Sequence, residues 1–288
     1  MALALQTLIN GLSVSCFYSL MSVGFTLVFG VMRVANYAHG EFYMLGAYTV
    51  WLAYSRAHVP FPIAAILAFF AVGLLGLITE RLLFRPLRGD ILGGAMMSCG
   101  LIFIIQVFAG QVWGLGPPKP VPPAYPGALS LFGIATFPWQ RVAIIPATAL
   151  ILGLLWLFLS RTRQGRALRA CALDSEAAAL QGMSINRSGA LALFWGSGLA
   201  GLGGALMAPV TSVHPYMGHM PLVISLLIVI VGGPGNIKGT ILAAFVLGFV
   251  YTIFTTWLDS TIANIVMVVL MVILLAIRPG GLLLRGKA

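Results

Sequence analysis

The chain has 288 residues, 60% of them hydrophobic and only 8% charged, with a mean hydropathy of +1.03 and a formal net charge of +10. A soluble domain carries about 25% charged residues, so this chain lacks the side chains to cover a water-facing surface and reads as a polytopic membrane protein. Its positive balance does not point to nucleic acid, because the cations sit in a few short loops with no basic helix or aromatic-basic surface to bind it.

No Lys or Arg precedes Arg33. The N-terminus therefore lacks the basic region of a cleavable signal peptide and reads as the start of the first span. A helix needs about 20 apolar residues to cross the hydrocarbon core. On that measure spans are expected near 3–30, 36–54, 62–80, 91–113, 141–160, 189–208, 220–232, 239–257 and 261–277. The first two can form one bent unit. The seventh is short and ends in GGPGNIKG, as a broken or re-entrant helix would. The expectation is an all-α bundle of eight or nine transmembrane helices in a single domain over residues 1–288.

Three basic clusters set the expected orientation. They are Arg81, Arg85 and Arg88; Arg161, Arg163, Arg166, Arg169 and Arg187; and Arg278, Arg285 and Lys287. All should be cytoplasmic. Nine spans with the N-terminus outside satisfy the three together and leave the C-terminus inside. The segment 115–140 then lies outside. Its prolines favour a stiff extended path, serving as a connector or as contact with an external partner. Glycines at small-residue spacing, Gly196, Gly198, Gly201, Gly203 and Gly204 among them, signal close helix packing. Two helix–turn–helix stretches, 24–48 and 223–248, look loosely alike, as repeats in transporters do.

Catalysis has little to work with. Six acids and four histidines are spread over the whole chain. Cys16, Cys99 and Cys171 have no spacing that marks a disulfide framework or a metal site. The densest polar group is Asn36, His39 and Glu41. His39 and Glu41 are two apart and so do not share a helix face. They are expected near the cytoplasmic boundary, with Glu41 paired to a neighbouring cation. The sharper reading makes Asn36, His39 and Glu41 part of a gate or pathway. GGPGNIKGT (232–240) fails as a phosphate loop, since Ile237 and Gly239 stand where Gly and Ser or Thr are needed and no strand precedes it. Gly232, Gly233 and Gly235 instead turn the chain tightly between two spans. They are also candidates to line a pathway, because irregular backbone at membrane depth needs protein or water beside it.

The polar stretch 161–188 holds five of the sixteen basic residues and two of the six acids. Asp174 and Ser175 are good N-caps and Gly182 a good C-cap. Between them SEAAALQ predicts a helix of about seven residues, roughly 10 Å long. So short a helix is marginal alone and should dock on something through Ala177, Ala178 and Leu180. A plain basic loop explains the arginines but not the capped apolar helix.

GFTLVFGVMRVANYAHGEFYMLGAY (24–48), RALRACALDSEAAALQGMSINRS (166–188), LAGLGGAL (199–206) and GGPGNIKGTILAAFVLG (232–248) resemble the LivH-type permease subunit of branched-chain amino acid ABC importers. The likeness covers nearly the whole chain. It implies a multi-pass protein of the bacterial inner membrane that is not itself an enzyme. It implies two cytoplasmic ATP-binding subunits, a second related permease completing a heterodimeric pore, and a periplasmic binding protein. No cofactor is expected in this chain, with ATP and magnesium held by the ATPase partners. The family's coupling loop maps onto Asp174, Ser175, Glu176, Ala177, Ala178 and Gly182. The implied mechanism is alternating access, and the implied cargo is a hydrophobic amino acid. Related members are thought to carry urea, short amides or small carboxylates. A self-sufficient secondary transporter or channel would need coupling acids buried in mid-span. Here Glu41, Glu80, Asp90, Asp174, Glu176 and Asp259 are all expected near span ends or in loops. A membrane scaffold without transport is the remaining rival.

Overall fold

The computed structural model describes residues 2–131 and 135–277. Eleven helices and one hairpin follow in order. They are α1 (Ala2–Met32), α2 (His39–Val50), α3 (Phe61–Thr79), α4 (Ile91–Trp113), β1 (Ala128–Leu131), β2 (Ala135–Pro138), α5 (Trp139–Arg161), α6 (Arg163–Leu173), α7 (Ser175–Leu180), α8 (Ile185–Met207), α9 (His219–Gly232), α10 (Ile237–Trp257) and α11 (Ser260–Ile277). Wider π-helical turns extend α2 through Arg56 and α3 through Phe84. Six of the described helices are long and apolar enough to cross a membrane, while α9 is a shorter apolar helix. The chain is a multi-pass membrane protein.

The expected spans coincide with these helices within a few residues, except for the second. The basic residues of the C-terminal cluster, Arg278, Arg285 and Lys287, lie outside the described residues. The described part of the Pro-rich segment carries an antiparallel hairpin, paired from Ala128↔Pro138 to Leu131↔Ala135.

The most apolar windows of α1 and α8 are 89% and 78% buried, against 28% and 22% for α4 and α5. The first pair is the core of the bundle and the second pair faces lipid. Glycine sets how closely the core packs. A Cβ at Gly24 would stand 2.6 Å from the Gly196 carbonyl oxygen, so α1 and α8 touch backbone to backbone. A Cβ at Gly46 would overlap the backbone of Gly201, and one at Gly204 the carbonyl of Tyr43. So α2 and α8 are also in main-chain contact. Small residues permit this approach. Ser19 and Thr79 close their buried hydroxyls onto the preceding turn, on the Ser15 carbonyl at 2.8 Å and the Leu75 carbonyl at 2.7 Å, which meets their hydrogen-bonding need inside the helix.

Cross-contacts fix the helix directions. Gly248 of α10 packs on Ser15 of α1, and Gly235 just before α10 packs on Gly30. The two helices are therefore antiparallel. Phe17 lies beside Gly203, while Gly24 meets Gly196, so α8 is antiparallel to α1 as well. We call the end carrying residues 85–90 and 161–188 the basic end, and the other the far end.

After α1 reaches the basic end, the chain does not start a new helix there. Val34 meets Gly94, Ser98 bonds Tyr37, and Glu41 meets Gln106. Residues 34–41 thus climb beside α4 over twelve of its residues, a rise of about 18 Å. The second span therefore starts deep in the membrane rather than at the boundary expected for His39 and Glu41. The same thing happens inverted after α8. Val213 exchanges backbone hydrogen bonds with Lys119 of the far-end loop at 2.8 and 2.9 Å. The chain then descends until Gly218 touches Gly40, and α9 completes the crossing with its 14 residues.

Each unit is a long helix, an unwound re-entrant segment and a helix that begins inside. Helices α3 and α10 follow their units and pack on the opposite unit's long helix, α3 on α8 and α10 on α1. The internal repeat is thus α1–α3 against α8–α10, in the same order and with inverted orientation. It replaces the correspondence expected between 24–48 and 223–248, whose likeness reflects only the shared helix–turn–helix pattern.

Candidate functional site

The two re-entrant segments meet at one point, where α2 and α9 begin. Gly40 and Gly218 are in main-chain contact there, and a side chain on either would strike the other's carbonyl. Three polar side chains gather beside them. Glu41 is 2% exposed. Its Oε1 accepts a hydrogen bond from Gln106 Nε2 at 2.8 Å. Gln106 Nε2 also lies 2.6 Å from His219 Nε2. The amide has two protons, so it donates to both. His219 Nε2 is then an acceptor and its proton sits on Nδ1. The imidazole stands 3.9 Å from the carboxylate and keeps 56% of its side chain exposed. Glu41 Oε2 is buried with no protein partner among the described residues.

Among the described residues no Lys or Arg lies within 4.0 Å of Glu41, where a cation was expected. Arg33 points out at the basic end with φ 54°, a full re-entrant segment away. An uncharged amide and an imidazole take its place. Gln106 and His219 were not singled out in the sequence. They lie 65 and 178 positions from Glu41, and only the fold brings them together. The signal that exists is that each is a strongly polar residue in a largely apolar helix.

Asn36 and His39 serve the climb itself. Asn36 Oδ1 accepts from Ala38 N at 3.1 Å, and its carbonyl accepts from His39 N at 3.1 Å. This turn lets the backbone satisfy itself while unwound. His39 is fully buried, 3.0 Å from the Met21 carbonyl through Nε2, with its ring edge-on to Phe25. A donating Nε2–H pins α2 to mid-α1.

Gly232, Gly233 and Gly235 do not join this group. They lie at the opposite end of α9, about 20 Å away along its axis. Gly233 and Gly235 adopt φ of 87° and 79°, which a side chain resists. Asn236 then caps α10 by accepting from Gly239 N at 3.1 Å. Across from this turn Thr26 and Thr240 share a 2.8 Å hydrogen bond. The turn borders a cavity of about 340 Å³ that also touches Thr26, Val31, Leu168 and Arg169.

The polar stretch folds as two helices rather than one. Thr162 caps α6 by accepting from Gly165 N at 2.9 Å, and Leu168 and Cys171 bury its inner face. This helix was missed because its arginines obscure an apolar stripe only two residues wide. Asp174 caps α7, its Oδ1 accepting from Glu176 N at 2.9 Å and Ala177 N at 3.0 Å. At the other end Gly182 N donates to Ala179 O at 2.9 Å and Met183 N to Ala178 O at 3.1 Å, with Gly182 at φ 77°. That is a Schellman motif. Ser175 is the first helical residue, and Asp174 alone caps. Of the expected apolar face only Ala178 is buried, whereas Ala177 and Leu180 face out. Leu173 and Leu180 are 83% and 88% exposed.

One ionic network links helices near the basic end. Glu80 is fully buried and binds Arg85 at 3.1 Å and also Arg88, which reaches on to Asn186 of α8.

The family profile described as the branched-chain amino acid transport system permease component matches residues 7–277. The chain is 30% identical to the high-affinity branched-chain amino acid transport system permease protein BraD of Pseudomonas aeruginosa, over 98% of this chain and 96% of that one. It is 28% identical to LivH of Escherichia coli, with the same coverage of both chains. A probable LivH of Methanocaldococcus jannaschii is 26% identical over 91% of this chain and 87% of its own. No solved structure matches the chain.

Proposed function

This chain belongs to the permease-component family of branched-chain amino acid transport systems, and we propose that it forms half of a pore importing a branched-chain or similarly hydrophobic amino acid. Permeases of this family are transport subunits, and the complex around them is an ABC importer. In our reading the partners are two cytoplasmic ATPases that hold ATP and magnesium, a second related permease and a periplasmic binding protein. The membrane is the bacterial inner membrane, the basic end is cytoplasmic, and 115–140 is periplasmic. The C-terminus is cytoplasmic. Residues 1–288 act as one permease domain, with 161–188 as its coupling loop.

The observation that carries the reading is α7. A six-residue helix closed by Asp174 and by a Schellman turn presents Leu180 to its surroundings at the basic end, beside Leu173 at the close of α6. Rigid, apolar and outside the bundle, it suits docking into another protein rather than headgroup contact. Motion of the ATPases enters there and passes through α6 to the cavity beside Gly235. The junction of Glu41, Gln106 and His219 serves as the gate. It lies where two re-entrant segments meet, and Glu41 has no Lys or Arg beside it to complete a tight zwitterion site.

The test is purification of the tagged chain in mild detergent from its native membrane, with companions identified by mass spectrometry. Two ATPases, a sister permease and a receptor loaded with a branched-chain amino acid are the expected set. A chain recovered alone that transports in vesicles without ATP would overturn the reading.

A further inference from the structure

A second cavity opens at the far end between α1, α5, α10 and the descending segment 208–218. It measures about 440 Å³, within the roughly 300–1,000 Å³ usual for small-molecule sites. Phe17, Tyr18, Met217 and Tyr251 give it an apolar aromatic wall, and Thr252 and Thr255 a small polar one. The one permanently charged side chain on its lining is Arg141.

Arg141 is the third residue of α5. An ionised side chain inside a membrane helix is costly and normally has a charged partner. Here the partner is neutral. Arg141 Nη1 donates to Asn10 Oδ1 at 2.7 Å, and the Ser13 hydroxyl donates to the Arg141 carbonyl at 3.0 Å. Among the described residues no carboxylate lies within 4.0 Å of the guanidinium. A guanidinium has five donors in a planar fork suited to a carboxylate. Asn10 takes one and fixes the orientation of the rest, so a donor edge remains for an anion beside an apolar wall.

We propose that this cavity is a substrate subsite in which Arg141 binds the carboxylate of an amino acid while the Phe17–Tyr251 wall receives its apolar side chain. Asn10 is the positioning residue. The inference rests on the reading above that the far end faces the receptor.

The experiment uses the assembled wild-type complex in discs of zwitterionic lipid. Phenylglyoxal modifies accessible arginines, and peptide mass spectrometry resolves the rate at Arg141, with Arg56 as internal reference. Leucine at about nine times its Kd slows the Arg141 reaction about tenfold, by simple occupancy. Leucinamide, which lacks the carboxylate, does not. Equal rates with and without leucine overturn the subsite, and so does an Arg141 that never reacts. Protection by added anionic lipid instead of leucine also overturns it and assigns the guanidinium to a headgroup. In parallel, Arg141→Gln in an assembled complex abolishes leucine uptake while receptor-stimulated ATP hydrolysis continues. Wild-type uptake with an unprotected Arg141 sinks only this subsite. A wild-type complex that shows no ATP-dependent uptake sinks the broader reading.

Discussion

Gly40→Ala probes the meeting point of the two re-entrant segments. The added Cβ would stand 2.5 Å from the Gly218 carbonyl oxygen, about 0.9 Å inside the 3.4 Å at which ordinary contact begins. The obstacle is backbone on both sides, so no rotamer change relieves it. The starts of α2 and α9 must separate by nearly that amount. The hydrogen bonds of Gln106 to Glu41 and His219 are 2.8 and 2.6 Å long. An added 0.9 Å taken up at either one carries that bond past the 3.2 Å limit of a good bond. Overpacking of this kind costs about 2 kcal/mol, which lowers the folded fraction relative to unfolded by a factor of about 30. Thermal melting of the purified complex followed by far-ultraviolet circular dichroism reads the stability, and leucine uptake in proteoliposomes reads the gate. Gly100→Ala is the control, because its Cβ would meet nothing within 4 Å. It should melt at or slightly above wild type, given alanine's better helix propensity. A Gly40→Ala complex that melts and transports like the Gly100→Ala control would refute the reasoning.

Other predictions follow from single contacts. Glu41→Gln keeps an acceptor for Gln106 and leaves the complex folded, yet lowers uptake, which proteoliposome assays measure; unchanged uptake would remove Glu41 from the gate. Leu180→Arg alters a residue that is 88% exposed, so the bundle stays intact while co-purification of the ATPases fails. Gly182→Ala forces a side chain into φ 77° at a cost of about 1 kcal/mol; amide exchange across residues 175–183 should speed up while α8 stays protected. Glu80→Ala removes the shared carboxylate of Arg85 and Arg88. The arginines still reach water, so the loss is about 2 kcal/mol, seen as earlier melting and restored in part by Arg88→Leu in the same chain.

The spans were legible because hydropathy needs only local sequence. The seventh, read as 220–232, is α9 within a residue, and its short length already marked it as broken. The ends of α7 were legible for the same reason, since Asp174 and Gly182 act on neighbours within four positions. The climb of 34–41 was not. Nothing local distinguishes Asn36, His39 and Glu41 at a boundary from the same residues at depth. The difference is made by α4 lying alongside, from Gly94 to Gln106. The Glu41 cluster likewise joins residues from three helices, and Arg141 meets Asn10 from 131 positions away. The meeting of α2 with α9 follows from the inverted repeat, which is written in packing rather than in recurring letters, and Gln106 and Arg141 reach their partners from α4 and α5 outside it.

The glycine contacts between α2 and α8 have a mechanical consequence. Helices separated by a layer of side chains can slide, because rotamers yield. Here the carbonyls of Tyr43 and Gly201 sit where a Cβ would be, and one backbone can move past the other only by riding over them. The two helices therefore behave as one stiff beam. It runs from Ser184, just after α7, to the outer end of α2, and it carries Glu41 near its middle. A tilt imposed at the coupling end must displace the gate by a proportionate distance, with no compliant joint between them to absorb the stroke.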